Sequence, residues 1–328
     1  MNKKLIVNLV LLISIFGLLY FLPGCSKDEE IIIPDTDQIF ANGSLTPTSR
    51  TQVQGNMFVT DENGNPIQGL DASNIVARLR WNAKDSPPDS VTGFVTITQA
   101  TQNDIAAALT MDYSGSMGSL EIQCMEDGVT AYINSMSASD ITEIIKFAST
   151  VQVMQAFTNN KTLLLQAVNT TPSVGTQTAL YQSIYQGLLD ANGISSSQYI
   201  RTVIAFTDGG ENNSTVSLIT TINQALNTGI PVFTVTLTDY PTGAAADTMR
   251  IIADTTGGFP FVVDPDSCSQ LNNIYQQINS QLNNAYSLTI DWPDTNPPLP
   301  ITGTPVTAVV YVTYEGLTAV FQRTYNIP

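Results

Sequence analysis

Hydrophobic and polar positions change their rhythm three times along the 328-residue chain. After Lys3 and Lys4, an apolar run with scattered polar residues extends from Leu5 to Leu22 and stops at Cys25. Residues 46–104 carry short stretches of β-branched and aromatic residues separated by turn formers. Gly55 to Thr60, Ile75 to Trp81 and Ser90 to Gln99 read as strands. Between the first two, Asp61, Asn63 and Asn65 alternate as in a calcium loop. The twelfth position of such a loop is Ala72, which supplies no ligand, so Asn63-Gly64 reads as a hairpin turn instead.

From residue 105 to 284 strand-like and helical runs alternate, the pattern of a mostly parallel, doubly wound α/β sheet covered on both faces. Ile105 to Met111, Ile141 to Phe147, Thr202 to Thr207, Val232 to Leu237 and Phe259 to Val263 are continuously apolar, as strands buried on both sides must be. Leu180, Ile184 and Leu188 form one helical stripe; Leu271, Ile274, Tyr275, Ile278 and Leu282 form another. Both read as core packing. In residues 285–328 the pattern reverts to strands, at Tyr286 to Trp292, Val306 to Tyr314 and Leu317 to Tyr325, behind a stiff proline-rich connector from Pro293 to Pro300. Either flank alone would bury too little surface, so the expectation is one β-sandwich-like domain built from both flanks with the α/β domain inserted between them.

Composition narrows the function. A formal charge of −16 excludes a nucleic-acid partner, whose phosphates need a basic surface. No histidine is present, which removes the usual general base, the Ser-His and Cys-His nucleophile pairs and the commonest transition-metal ligand. The N-terminal run reads as a targeting segment, residues 1–24. Its end, Leu22-Pro23-Gly24-Cys25, resembles a bacterial lipobox, which implies lipidation of Cys25; a plain membrane anchor is the alternative. The acidic tether, residues 25–45, opens with Ser26-Lys27-Asp28-Glu29-Glu30, which resembles the export tag of surface lipoproteins of the Bacteroidota. The resulting expectation is an outer-membrane, surface-exposed lipoprotein.

The candidate chemistry lies at strand ends. Asp112-Tyr113-Ser114-Gly115-Ser116 closes the first α/β strand, where open α/β sheets form their ligand sites. Gly175-Thr176-Gln177-Thr178-Ala179-Leu180-Tyr181 leads into a helix, and Val203 to Thr207 ends in Asp208-Gly209. Glu211, close by, reads as a solvated loop carboxylate. Asn-x-Ser/Thr occurs at Asn42, Asn169, Asn212 and Asn213 and reads as chance in a polar sequence.

Together these segments resemble the metal-ion-dependent adhesion site of von Willebrand factor type A domains. The likeness extends to Asp140-Ile-Thr-Glu-Ile-Ile-Lys-Phe, Gly229-Ile-Pro-Val-Phe-Thr-Val and Ile251-Ile-Ala-Asp-Thr-Thr-Gly-Gly. It implies a divalent cation held by Asp112, Ser114, Ser116, Thr178 and Asp208, with Thr176 the alternative to Thr178. Hard oxygen ligands suit Mg²⁺ first, then Mn²⁺ or Ca²⁺. Two carboxylates and three hydroxyls leave the ion open to an outside anion, and the resemblance implies a carboxylate from a protein partner. It also implies that the helices carrying Cys124 and Cys268 pack side by side, so a disulfide between them and two buried thiols are both open. The expected role is metal-dependent protein binding or adhesion. The alternative is docking within a cell-envelope assembly, and no enzymatic activity is expected.

Overall fold

The computed structural model describes residues 38–81, 89–99, 104–208, 210–238, 243–264, 267, 269–294 and 298–328. Cys25, Cys268 and the targeting segment lie outside them. Among the described residues no helix is long and apolar enough to cross a membrane.

The chain first builds strands β1 (Ile39–Gly43), β2 (Thr46–Ser49), β3 (Gln52–Asp61), β4 (Ile75–Trp81), β5 (Asp89–Thr92) and β6 (Phe94–Gln99). It then alternates through β7 (Asp104–Asp112), α1 (Ser119–Ser135), β8 (Ile141–Phe147), β9 (Val151–Thr158), α2 (Lys161–Asn169), α3 (Leu180–Asn192), β10 (Tyr199–Thr207), α4 (Leu218–Thr228), β11 (Val232–Leu237), α5 (Ala244–Thr256), β12 (Pro260–Val263) and α6 (Ser269–Asn283). It ends in β13 (Tyr286–Asp291), β14 (Pro305–Tyr314) and β15 (Leu317–Asn326).

The central sheet runs β12-β11-β10-β7-β8-β9, parallel except for β9 at one edge. Every residue of β7 after Asp104 is buried. Its three consecutive alanines, Ala106 to Ala108, let helices approach closely; a Cβ on Gly187 of α3 would lie 3.2 Å from that of Ala108. Helices α1, α2 and α6 share one core on one face, and α3, α4 and α5 share another on the opposite face. The strand order reverses at β7, which pairs with β8 on one side and β10 on the other. A crevice therefore opens above the carboxyl ends of these strands.

Both flanks combine as expected. One sheet orders β1-β3-β13-β6, with β2 also on β3; the other orders β15-β14-β4-β5. Their inner faces form a single apolar core containing Val53, Leu79, Trp81, Tyr286, Ile290, Val310 and Phe321. The alternation in β4 shows why: Ile75, Ala77, Leu79 and Trp81 point inward while Val76 and Arg78 are exposed. Strand β6 leads into the α/β domain and β13 leads out. The two lie side by side, with Gln99 opposite Tyr286.

Two expectations need correction, and one strand had no expectation at all. Ser90 to Gln99 is two strands in different sheets, because the chain crosses over at Gly93. A Cβ there would come within 2.4 Å of Ile290 and 2.6 Å of Trp292, so only glycine fits the crossing. Strand β9 was not legible, since its half-exposed sequence Val-Gln-Val-Met-Gln-Ala-Phe-Thr follows no clean period. Finally, β1 falls inside the stretch read as tether, yet it pairs with β3 over five residues.

Strand β1 also joins the two parts of the fold. Asn42, 6% exposed, donates from Nδ2 to the carbonyl of Gly258 over 2.6 Å. It accepts from Nη2 of the buried Arg323 of β15, whose pKa burial lowers to about 10. On the other side, Gln277 and Gln281 of α6 donate to the carbonyls of Asn63 (2.8 Å) and Gly64 (3.1 Å) in the β3 hairpin turn. Gly64 holds φ +79°, in the left-handed region that suits glycine, and closes the Asp61–Gly64 turn, its amide donating to the carbonyl of Asp61 over 3.1 Å.

Candidate metal centre

Three chain segments meet above the carboxyl ends of β7, β8 and β10. The first is the turn after β7. Asp112 is fully buried; its Oδ1 accepts from the amide of Ser114 (2.7 Å) and its Oδ2 from the hydroxyl of Thr207 (2.6 Å). Burial pushes its pKa up to about 6, with the Asp208 carboxylate pushing the same way against the donors Thr207 and Ser114. The hydroxyls of Ser114 and Ser116 lie 3.2 Å apart. Ser114 is buried and Ser116 is exposed.

The second segment is the connector from α2 to α3. Gly175, at φ +87°, turns it over Ser149, whose hydroxyl accepts from the amides of Thr176 (3.0 Å) and Gln177 (2.8 Å). A Cβ on Gly175 would meet that hydroxyl at 2.5 Å. The carbonyl of Thr176 accepts from Gly115 over 2.8 Å, which fastens this segment to the first. Thr178 is 3% exposed, whereas Thr176 is exposed.

The third segment follows β10. The Thr178 amide donates to Oδ1 of Asn212 (2.8 Å), and the Thr178 carbonyl accepts from the amides of Asn212 and Asn213 (3.0 Å each). Nδ2 of Asn213 donates to the carbonyl of Ser149 over 2.6 Å. Glu211 is not a solvated carboxylate. It accepts from the amides of Tyr181 (3.0 Å), Asn213 (2.8 Å) and Ser214 (2.7 Å) and from the Ser214 hydroxyl (2.7 Å). Ala179, at the N-cap of α3, offers no side-chain cap, so Glu211 and Ser214 satisfy first-turn amides that would otherwise be orphaned. Of the asparagines read as chance, Asn212 and Asn213 hold this site together and Asn42 joins the sandwich to the α/β domain.

The structure thus links all three segments that carry the expected ligands. Thr207, Ser149, Asn212, Asn213 and Glu211 were not expected to contribute. Only Thr207, adjacent to Asp208 in a strand-end motif, offered a signal. Among the described residues no three His, Cys, Asp or Glu side chains come together, so an ion here would rest on hydroxyl oxygens as well as carboxylates. Two observations fit a cation. Oδ1 of Asp208 is buried without a hydrogen-bond partner, and a second carboxylate, Asp112, is buried near it. Two carboxylates brought together, one with a buried oxygen that no donor reaches, are costly unless a positive charge joins them.

The sequence model described as von Willebrand factor type A domain matches residues 107–211, a span that contains all three segments. Over that span the chain is a von Willebrand factor type A domain. Similar chains of known structure include an aerotolerance-related membrane protein from Bacteroides fragilis, 15% identical over 55% of this chain and 98% of that one, at a TM-score of 0.47. A von Willebrand factor type A protein from Catenulispora acidiphila is 10% identical over 90% of this chain and 74% of that one, at a TM-score of 0.48. The manganese-loaded TRAP protein of Plasmodium vivax is 16% identical over 71% and 97% of the two chains, at a TM-score of 0.41. No curated protein matches the chain.

Cys124, in α1 of the A domain, is buried and disulfide-bonded. The other two cysteines, Cys25 and Cys268, are outside the described residues.

Proposed function

We propose that the A domain binds a divalent cation, Mg²⁺ before Mn²⁺ or Ca²⁺, through Asp112, Ser114, Ser116, Thr178 and Asp208. A carboxylate from a protein partner then completes the shell. The observation that carries this reading is the buried, unpartnered Oδ1 of Asp208 beside the buried carboxylate of Asp112. Hydroxyl and carboxylate oxygens suit these hard ions, and two carboxylates leave a divalent charge with little surplus anion. Burial of Thr178, and its attachment to the Asp208 loop through Asn212, favour it over the exposed Thr176.

The bound ion would supply an electrophilic site for an incoming oxygen. The chain's own part is to hold the donors in place and keep Asp112 dry. With no histidine in the sequence, and with Glu211 fully occupied as a cap, the site has no spare general base. The reading is therefore a binding module rather than an enzyme. Lipidation at Cys25 would hold it in the cell envelope, displayed on the outer membrane.

Calorimetric titration with MgCl₂ and MnCl₂ tests the metal, comparing the wild type with Asp112→Ala. Saturable heat and thermal stabilisation are expected for the wild type and neither for the variant. No heat and no stabilisation in the wild type would remove the reading. Capture of proteins from the native environment in Mg²⁺ against chelator then tests the partner, repeated with Asp112→Ala. A captured set indifferent to both would leave adhesion without a mechanism.

A further inference from the structure

Lys146 is a buried cation that the proposed metal site does not use. It stands near the end of β8, fully buried, and points to the face that carries α1 and α2. Its ammonium donates to the carbonyls of Val168 (2.5 Å) and Thr170 (2.9 Å) at the C-terminus of α2. The same group sits 4.4 Å above the ring of Tyr113 and 3.7 Å from Oε1 of Glu126 on α1. Tyr113 in turn donates its hydroxyl to Oε1 of Glu126 over 2.6 Å, and its amide donates to the carbonyl of Phe147 over 2.7 Å.

Tyr113 is the residue between Asp112 and Ser114, and Thr170 begins the connector that leads to Thr178. One ammonium therefore grips both segments: the first through a cation–π contact on Tyr113, the second through the last carbonyls of α2. Burying a lysine is unfavourable unless its donors are satisfied. Here the donors are spent on two loops rather than on a single ion pair. Helix C-terminal carbonyls are a suitable partner for a cation, and a cation over an aromatic face gains most when dry.

We propose that Lys146, with Tyr113 and Glu126, is the positioning group of the metal site, fixing the Asp112–Ser116 turn relative to the Thr178 segment before any ion arrives. This rests on the metal-binding reading above. Neither Lys146 nor Glu126 touches the ion; both act through the loops they hold. Groups that orient ligands typically change metal affinity about 10- to 100-fold when removed, because donors that must be gathered cost binding energy.

The test uses the full mature chain and three variants, Lys146→Met, Tyr113→Phe and Glu126→Gln, each read three ways: apo melting temperature, Mn²⁺ dissociation constant by calorimetry, and amide hydrogen exchange of the apo protein. Tyr113→Phe keeps the ring over Lys146 and loses only the bond to Glu126. It is expected to fold normally, to exchange faster at residues 113–117 alone, and to bind Mn²⁺ a few-fold more weakly. Lys146→Met is expected to speed exchange at 113–117 and 170–178 together and to weaken Mn²⁺ about 10-fold or more. Glu126→Gln keeps an acceptor for Tyr113 and should lie near the wild type. A lowered melting temperature with unchanged Mn²⁺ affinity and no loop-confined exchange would make the cluster merely structural and overturn the proposal. If Lys146→Met does not fold, the Tyr113→Phe exchange pattern and Mn²⁺ affinity decide alone. If the wild type binds no Mn²⁺ at all, the metal reading fails, and the exchange data show separately whether Lys146 couples the two loops.

Discussion

The hydroxyl of Thr207 donates to Oδ2 of Asp112 over 2.6 Å, tying the ends of the neighbouring parallel strands β10 and β7. Asp112 is fully buried, and this bond and the Ser114 amide are the donors that oppose the rise burial imposes on its pKa.

Thr207→Val keeps the shape of the side chain and removes the donor. Leaving a buried acceptor short of a partner costs about 1–3 kcal/mol, so the apo protein should lose that much in urea unfolding. With saturating Mg²⁺ the deficit should shrink, because the ion takes over part of the carboxylate's charge. An identical deficit with and without Mg²⁺ would show that the Asp112 carboxylate does not respond to the ion.

Glu143 of β8 gives the pH dependence its sign. It is 2% exposed, and burial, then the charge of Asp190, raises its pKa from 4.5 to about 8. A carboxyl whose folded-state pKa is raised holds its proton more tightly when folded. Its contribution to stability is therefore fully present below the unfolded value and is lost as pH climbs through about 8. Glu143→Gln copies the protonated form, so the variant should gain on the wild type from about pH 5 up to about pH 8 and hold that gain above it in chemical denaturation. Parallel stability curves would contradict the buried proton.

Asn42→Ala cuts the joint between sandwich and A domain. It deprives Gly258 of a donor and the buried guanidinium of Arg323 of an acceptor. A loss of about 2–4 kcal/mol is expected, with the single unfolding transition splitting in differential scanning calorimetry. Retention of one transition at the wild-type temperature would mean that Asn42 is dispensable to the joint.

Cys124 is disulfide-bonded, and we expect Cys268 to be its partner. Maleimide labelling of the denatured, unreduced chain should then find neither thiol free, and Cys124→Ser should lower stability by about 2–5 kcal/mol. A peptide map linking Cys124 to any other cysteine, or two free thiols, would refute the pairing.

What the sequence revealed follows from burial. Strands β7, β10 and β11 lie between two helical layers, and their unbroken apolar runs announced them. Strand β9 has one paired edge and a half-exposed surface, so its side chains obey no single environment and leave no pattern. Gly93 escaped notice because a glycine inside a β-rich run marks a change of sheet only when Ile290 and Trp292 crowd it, and those lie about 200 positions away. The ligand-bearing segments were legible because each places a hydroxyl or carboxylate at a strand end or helix start. Their supports were not: Ser149, Asn212, Asn213 and Glu211 act through main-chain amides and carbonyls, which any polar residue can reach once the fold has brought it near.

The adjacency of β6 and β13 has a mechanical consequence. A partner held at the crevice, as proposed, would pull on the A domain, and that pull would return to the sandwich through two neighbouring strands instead of one peptide linker. Six residue pairs join β6 to β13, and six more join β13 to β3. Tension directed away from the sandwich would draw β6 and β13 together in one direction, so it would fall in shear on the six pairs that join β13 to β3, which break together rather than in sequence. The load would be borne by the sandwich, and the strands that frame Asp112 and Asp208 lie beside its path.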